Sequence, residues 1–241
     1  MKERLKHIVL WLSAVLVLSG LFLWNLRARE RFLQHKNRAF DIRIYPGNKH
    51  FVTREDIEKI LLQFKKNDSV DPLISTKKAE ATLEKNPFID RAEVYISPDG
   101  QWHTEVYQFK PVAVIDYGSY RKYLDDKGFV KPWSSQGRLG LPLIEHAYSD
   151  DDIRLVYPLV KTIYDDRGLR NKVSKISLNA DGIHLKLYGF APDVFLGDTA
   201  NFRAKLDKMN LIRKALEKLN KTQLYSQINL QFNGQVICKK S

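Results

Sequence analysis

The chain has 241 residues and a net charge of +12, with 44% hydrophobic and 11% aromatic residues. This composition excludes a disordered chain and leaves room for one large domain or two modest ones. Its single cysteine, Cys238, excludes an intramolecular disulfide and a thiolate metal cluster.

Residues 1–38 hold 8 Lys/Arg against 2 Asp/Glu, and residues 203–241 hold 9 against 2, which leaves a net of −1 between them. Basicity at the two ends suits anionic lipid headgroups or an acidic protein partner, and argues against a continuous nucleic-acid-binding stripe.

An uncharged run extends from Ile8 to Leu26. As a helix it spans about 28 Å, close to the roughly 30 Å thickness of a bilayer core. Trp11 and Trp24 lie near its ends, where aromatic rings favour the headgroup layer, and Lys6 and Arg27 flank it. Ile8, Trp11, Trp24 and Leu26 therefore mark a predicted transmembrane anchor. A cleaved signal peptide would need a small-x-small site, yet residues 23–29 contain only Ala28. Basic residues on both flanks leave the orientation open.

After a linker over 27–38, Phe40, Ile42 and Ile44 alternate as in a half-buried strand, ended by Pro46-Gly47. Thr53 and Asp56 form a helix-starting box, followed by an apolar face of Ile57, Ile60, Leu61 and Phe64. A second short helix starting near Ser75 or Thr76 buries Ala79 and Leu83 and stops at Asn86-Pro87. Strands over 93–96 and 102–107 flank the turn Pro98-Asp99-Gly100, completing a βααββ unit.

Pro111 marks the start of a second domain. Strand-like 112–115, a hairpin over 123–129 and a strand over 141–144 lead to Ser149 and Asp152, which cap a helix carrying Ile153, Val156, Val160 and Ile163 and interrupted by Pro158. Strands over 173–178 and 183–188 flank Asp181-Gly182, a strong hairpin signal. A helix over 201–219 places Phe202, Leu206, Met209, Ile212, Leu216 and Leu219 on one side, with Lys205, Lys208, Arg213, Lys214 and Lys218 largely outside it as a solvated face. Strands over 227–232 and 235–239 flank Asn233-Gly234.

No phosphate-binding loop, nucleophile elbow or His-Glu-x-x-His helix is present. The six histidines are scattered, the aspartates at 150–152 and 165–166 suit helix ends, and Cys238 has no basic or histidine neighbour in sequence. The residues thus predict no enzyme, no metal and no cofactor. Function is expected in protein surfaces, with exposed strand edges as the candidates.

The run Leu83-Glu84-Lys85-Asn86-Pro87-Phe88-Ile89-Asp90-Arg91-Ala92-Glu93-Val94, then Pro98 and Val112-Ala113 after Pro111, resembles the end of a POTRA module in the bacterial cell-division family FtsQ/DivIB. Further landmarks follow in the family's order: Tyr123-Leu124-Asp125-Asp126-Lys127-Gly128, Leu141-Pro142, Val194-Phe195-Leu196-Gly197 with Lys205-Leu206, and Ile228-Asn229-Leu230-Gln231-Phe232. Their order carries the resemblance, which covers most of residues 40–240 and is nearest to the Bacteroidetes type.

The resemblance implies an α+β chain: cytoplasmic tail 1–7, transmembrane helix 8–26, linker 27–38, POTRA domain 39–110, and a β-rich domain 111–241 with an antiparallel sheet. It implies an essential divisome scaffold in the inner membrane, its bulk periplasmic and concentrated at the septum. FtsB- and FtsL-like proteins are the implied partners, with other divisome proteins reached through the POTRA domain. Strand addition at the C-terminal edge is the implied mode. Phe232 falls where relatives carry an aromatic in that interface, with Gln231 before it and Gly234, Gln235, Val236 and Ile237 on the following edge. Gln231 stands where relatives commonly carry Arg and Asn229 where they commonly carry Asp, so neither position here carries that charge. The rival readings are a POTRA-bearing envelope-biogenesis chaperone and a membrane-anchored cell-wall enzyme.

Overall fold

A computed structural model describes residue 11 and residues 15–27, 40–46, 51–65, 72–134 and 140–241. Residues 15–27 are helical, and Trp11, at 74% exposure, and Trp24, at 77%, are open to their surroundings. Ile8 and the rest of the predicted span lie outside the described residues. Among the described residues no helix is long and apolar enough to cross a membrane. The chain divides into two compact units, Met1–Gln108 and Phe109–Ser241.

The first unit carries β1 (Asp41–Tyr45), α1 (Arg54–Lys65), α2 (Pro72–Leu83), β2 (Ile89–Ile96) and β3 (Trp102–Gln108). The predicted βααββ order is present, and the strands lie in the order β1-β3-β2, with β1 parallel and β2 antiparallel to β3. Thr53 and Asp56 form the expected box: the Asp56 N–H donates to Thr53 Oγ1 at 3.2 Å and the Thr53 N–H to Asp56 Oδ2 at 3.3 Å. These bonds satisfy groups that a helix start leaves open. Ile57, Leu61, Ala79 and Leu83 fill the core under Val106. The buried Gln108 amide oxygen accepts the N–H groups of Phe51 at 2.6 Å and Val52 at 3.1 Å. β2 begins at Ile89, four residues before the predicted start, because the Asn86 side chain accepts the Phe88 N–H at 3.0 Å and completes the turn earlier.

The second unit is one nine-stranded sheet. It holds β4 (Pro111–Asp116), β5 (Arg121–Asp125), β6 (Val130–Pro132), β7 (Leu143–Glu145), α3 (Asp150–Asp165), β8 (Val173–Asn179), β9 (Gly182–Leu187), β10 (Phe190–Gly197), α4 (Phe202–Lys218), β11 (Tyr225–Asn229) and β12 (Ile237–Lys240). The strand order is β12-β11-β10-β9-β8-β7-β4-β5-β6. The sheet is mixed, which corrects the expected antiparallel one: β4 and β7, β7 and β8, and β10 and β11 pair in parallel. The helices explain two of these pairs, since α3 carries the chain from β7 back to the start of β8 and α4 from β10 to β11, while β7 comes to lie parallel to β4 after the β5–β6 hairpin.

α3 packs against β4, α4 against β10, and the helices touch, so both lie on one face. Ile153, Val156, Val160 and Ile163 point into the core, and Ser149 with Asp152 forms the predicted capping box. Pro158 stays within α3 on its exposed side, where the carbonyl left without an N–H partner can be reached by water. β10 was not predicted as a strand; Pro192 lies within it, at a shift in its register with β9. The β8–β9 hairpin turns as predicted at Asp181-Gly182. A Cβ on Gly182 would lie 2.5 Å from the Gly197 carbonyl oxygen, so only glycine fits.

Two cations expected on the solvated face of α4 are inside. Lys205 is 5% exposed and Arg213 7%. Lys205 Nζ donates to the Leu196 carbonyl at 2.9 Å, the Asp198 carbonyl at 3.1 Å and Asp198 Oδ1 at 2.6 Å. Three protons meet three acceptors, which makes a buried ammonium tolerable. Arg213 is held by Glu217 at 2.7 Å and Asn210 at 2.9 Å. Leu219, expected on the apolar side, follows the last residue of the helix and is exposed.

Candidate protein-docking edge

β12 is the last strand of the sheet and pairs only with β11, antiparallel, from Asn229 opposite Ile237 to Tyr225 opposite Lys240. All four of its residues are exposed. Its far end is tied down: the Ser241 N–H donates to the Leu224 carbonyl at 3.1 Å and the Ser226 hydroxyl to the Lys240 carbonyl at 3.1 Å. One backbone edge of the strand is therefore held and the other is unpaired.

The predicted site residues lie at the entrance to this edge, and not all on strands. β11 ends at Asn229, three residues earlier than expected, because the Asn229 side chain accepts the Gln231 N–H at 2.9 Å and turns the chain out of the ladder. Leu230 is fully buried, and its N–H donates to the Phe195 carbonyl at 2.8 Å. Gln231 packs its aliphatic stem against Gly197, where an added Cβ would meet it at 3.0 Å. Phe232 sits at a bend, 42% exposed, and its carbonyl accepts Lys208 Nζ at 3.4 Å. Gly234 takes φ +78 in the turn, Gln235 is exposed, and Val236 is partly buried against the core. Ile237, 47% exposed, opens β12. Phe232 and Ile237 are thus an exposed apolar pair at one end of the free strand. The Cys238 thiol on β12 is pushed above its ordinary value by desolvation, the opposite of an activated nucleophile.

Two of the other edges, β6 and β2, differ. β6 has three residues, ends on Pro132 and is backed by the Tyr123–Trp133 ring stack at 4.9 Å. β2 has eight residues, but Glu84 accepts the Ala92 N–H at 3.1 Å and Glu80 the Val94 N–H at 2.8 Å. Two carboxylates of the first unit's helical segment thereby occupy donors that a new strand would need. Glu84 belongs to the run that carries the family resemblance, which gives that residue a physical task.

Sequence reasoning missed the Lys205–Asp198 clamp, which fixes the end of β10 beside this edge. Its signal was present: Lys205 falls in helical phase with Met209 and Arg213, inside the stripe of Phe202, Leu206 and Met209. His184 was also missed. It bridges Asp193 at 2.6 Å and Asp181 at 3.1 Å and packs on Phe195 with ring centroids 4.8 Å apart. Burial opposes the charged ring, but the two carboxylates outweigh it and hold its pKa above the ordinary value.

A βααββ domain followed by a one-sided mixed sheet that ends on a strand paired on one side only defines a two-domain chain of the POTRA-plus-β class. Residues 40–107 match a POTRA-like domain, and residues 110–239 match the family described as FtsQ/DivIB, C-terminal related. The chain belongs to the FtsQ/DivIB family, whose members are cell-division scaffolds that interact with divisome proteins. No curated protein matches the chain.

Proposed function

We propose that this chain is a single-pass divisome scaffold, anchored in the bacterial inner membrane by residues 8–26, with its bulk in the periplasm and concentrated at the septum. In this reading residues 27–38 are a linker, 39–110 the POTRA domain and 111–241 the β domain. It captures FtsB- and FtsL-like proteins by strand addition on β12, with Phe232 and Ile237 as apolar anchors and the backbone ladder as the source of affinity. The observation that carries the reading is that, among the described residues, β12 pairs on one side only and all four of its residues are exposed, in a chain of this family. Exposed apolar side chains at Trp11 and from Val15 to Leu26 favour a lipid environment for the anchor.

The test is a pull-down of the FtsB-like partner by the full chain, together with a fluorescent fusion. Phe232→Glu should weaken capture about ten- to thirtyfold, the usual range for losing an interface anchor. The folded variant should keep its unfolding midpoint, since Phe232 lies at a bend. Unchanged capture removes the edge assignment, and a uniform envelope distribution through division removes the septal role.

A further inference from the structure

The carboxyl ends of β7, β8 and β10 surround an open cleft of about 510 Å³. Leu155, Leu178 and Ile183 supply aliphatic wall, and Asp152, Asp181 and Asp198 supply carboxylates; among the described residues that line it, none is Lys or Arg. This is unusual ground in a chain of net charge +12.

Two of the carboxylates are held in their charged form by local partners. The Lys205 ammonium holds Asp198 below its ordinary value, and the Ser149 hydroxyl holds Asp152 below its own. Local bonds fall on one oxygen of each, Oδ1 of Asp198 and Oδ2 of Asp152. An aliphatic wall with anionic groups beside it matches a long cationic side chain, whose stem is apolar and whose head is charged. The same charge disfavours phosphate, nucleic acid and anionic lipid. Among the described residues no three ligating groups converge as a metal would need.

The cleft lies at the same end of the sheet as the Ile237 end of β12, with β11 between β10 and β12. Gln231 lines it and lies two residues beyond Asn229, which faces Ile237 in the ladder. A strand laid on β12 therefore ends, beside Ile237, at the same end of the sheet as the cleft, and a segment flanking it reaches the cleft by crossing the ends of β12 and β11 past Gln231.

We propose that this cleft receives a lysine- or arginine-bearing segment flanking the strand that a partner adds to β12. The identity of the occupant rests on the function proposed above; the charge preference of the cleft rests on its own lining.

Methyl-labelled full chain in detergent micelles separates the two. The first probe is a peptide of three Thr-Val repeats with Lys-Leu-Lys, joined through glycine, at both ends, so that either strand direction brings one flank to the cleft. The second has Glu for every Lys. The third is acetylated, amidated Lys-Leu-Lys alone. The first and third should shift the methyl resonances of Leu155, Leu178 and Ile183. The second should shift Ile237 but leave those three in place.

Asp181→Asn, which keeps a partner for His184, should weaken the basic peptides about two- to fivefold, as expected for a partly exposed ion pair. Ala180→Trp, at the exposed hairpin turn, should abolish the cleft shifts. The proposal is overturned if the acidic peptide moves the three methyls as far, or if neither basic peptide moves them. An unmoved Ile237 methyl with both strand peptides overturns the β12 reading instead, whatever the third peptide does at the cleft.

Discussion

The two ends of the nine-stranded sheet are built to different rules. At one, β6 is three residues long, closes on Pro132 and lies beside a Tyr123–Trp133 stack. At the other, β12 has no proline, has four exposed residues and pairs on one side only. A third edge, β2, is longer than either but has its Ala92 and Val94 donors occupied by Glu84 and Glu80. Proline, brevity and side-chain capture are three ways to keep a strand from templating another chain. None of them operates at β12, whose only deterrents are Lys239 and Lys240, and charge selects among partners where a missing donor excludes them all.

The largest expected effect comes from giving β12 the device that β6 has. Cys238→Pro removes one ladder donor from the open strand and should lower partner capture about tenfold or more, the worth of one to two backbone hydrogen bonds. The sheet core should keep its unfolding midpoint, since Cys238 is exposed. Capture that survives the proline would mean that β12 is not the template.

The converse test opens the closed edge. Glu80→Ala with Glu84→Ala frees the Ala92 and Val94 donors and should cost about 2 kcal/mol of stability in the first unit, since each lost bond has a charged acceptor. Above that cost, the double variant should self-associate with rising concentration in sedimentation while the parent chain does not. A double variant as monodisperse as its parent would leave β2 closed by something other than these carboxylates.

The parts of this arrangement legible in the sequence are those set by neighbours in the chain. The Thr53–Asp56 and Ser149–Asp152 boxes and the Asp181-Gly182 turn depend on bonds spanning a few residues, and each forms as read. The parallel pairs were not legible, because an alternating strand has the same pattern whichever way its neighbour runs. Nor was the burial of Lys205, whose acceptors arrive from Leu196 and Asp198, outside its own helix. β11 ended early through Asn229, a residue noted for its departure from the family and not for its side chain's reach to Gln231. The β12 edge itself was anticipated from the order of landmarks; the closing of β2 by Glu80 and Glu84 was not, since it joins residues up to 14 positions apart across two elements.

The smallest effect concerns the solvent-side face of the sheet near the open edge. His184 on β9 meets Asp193 of β10 and Asp181 of the preceding turn, with Lys186 Nζ 3.6 Å from Asp193 and Gln227 of β11 donating to the same carboxylate at 3.4 Å. A doubly protonated ring donates to both carboxylates; a neutral ring can donate to one. The folded pKa is raised above the unfolded value of about 6.5, so the stabilisation is complete below that pH and is lost as pH rises through the higher folded value. The urea midpoint of the sheet's unfolding should therefore fall as pH rises above about 6.5, and His184→Gln, which carries no titratable proton, should flatten that slope. Because Gln227 faces Lys239 across the β11–β12 ladder, the comparison sharpens further if partner capture is followed over the same range. Capture should stay constant while the midpoint falls, since His184 sits three strands in from the free backbone edge and withdraws no donor from it. A capture that tracks the midpoint would instead make the edge depend on the inner sheet.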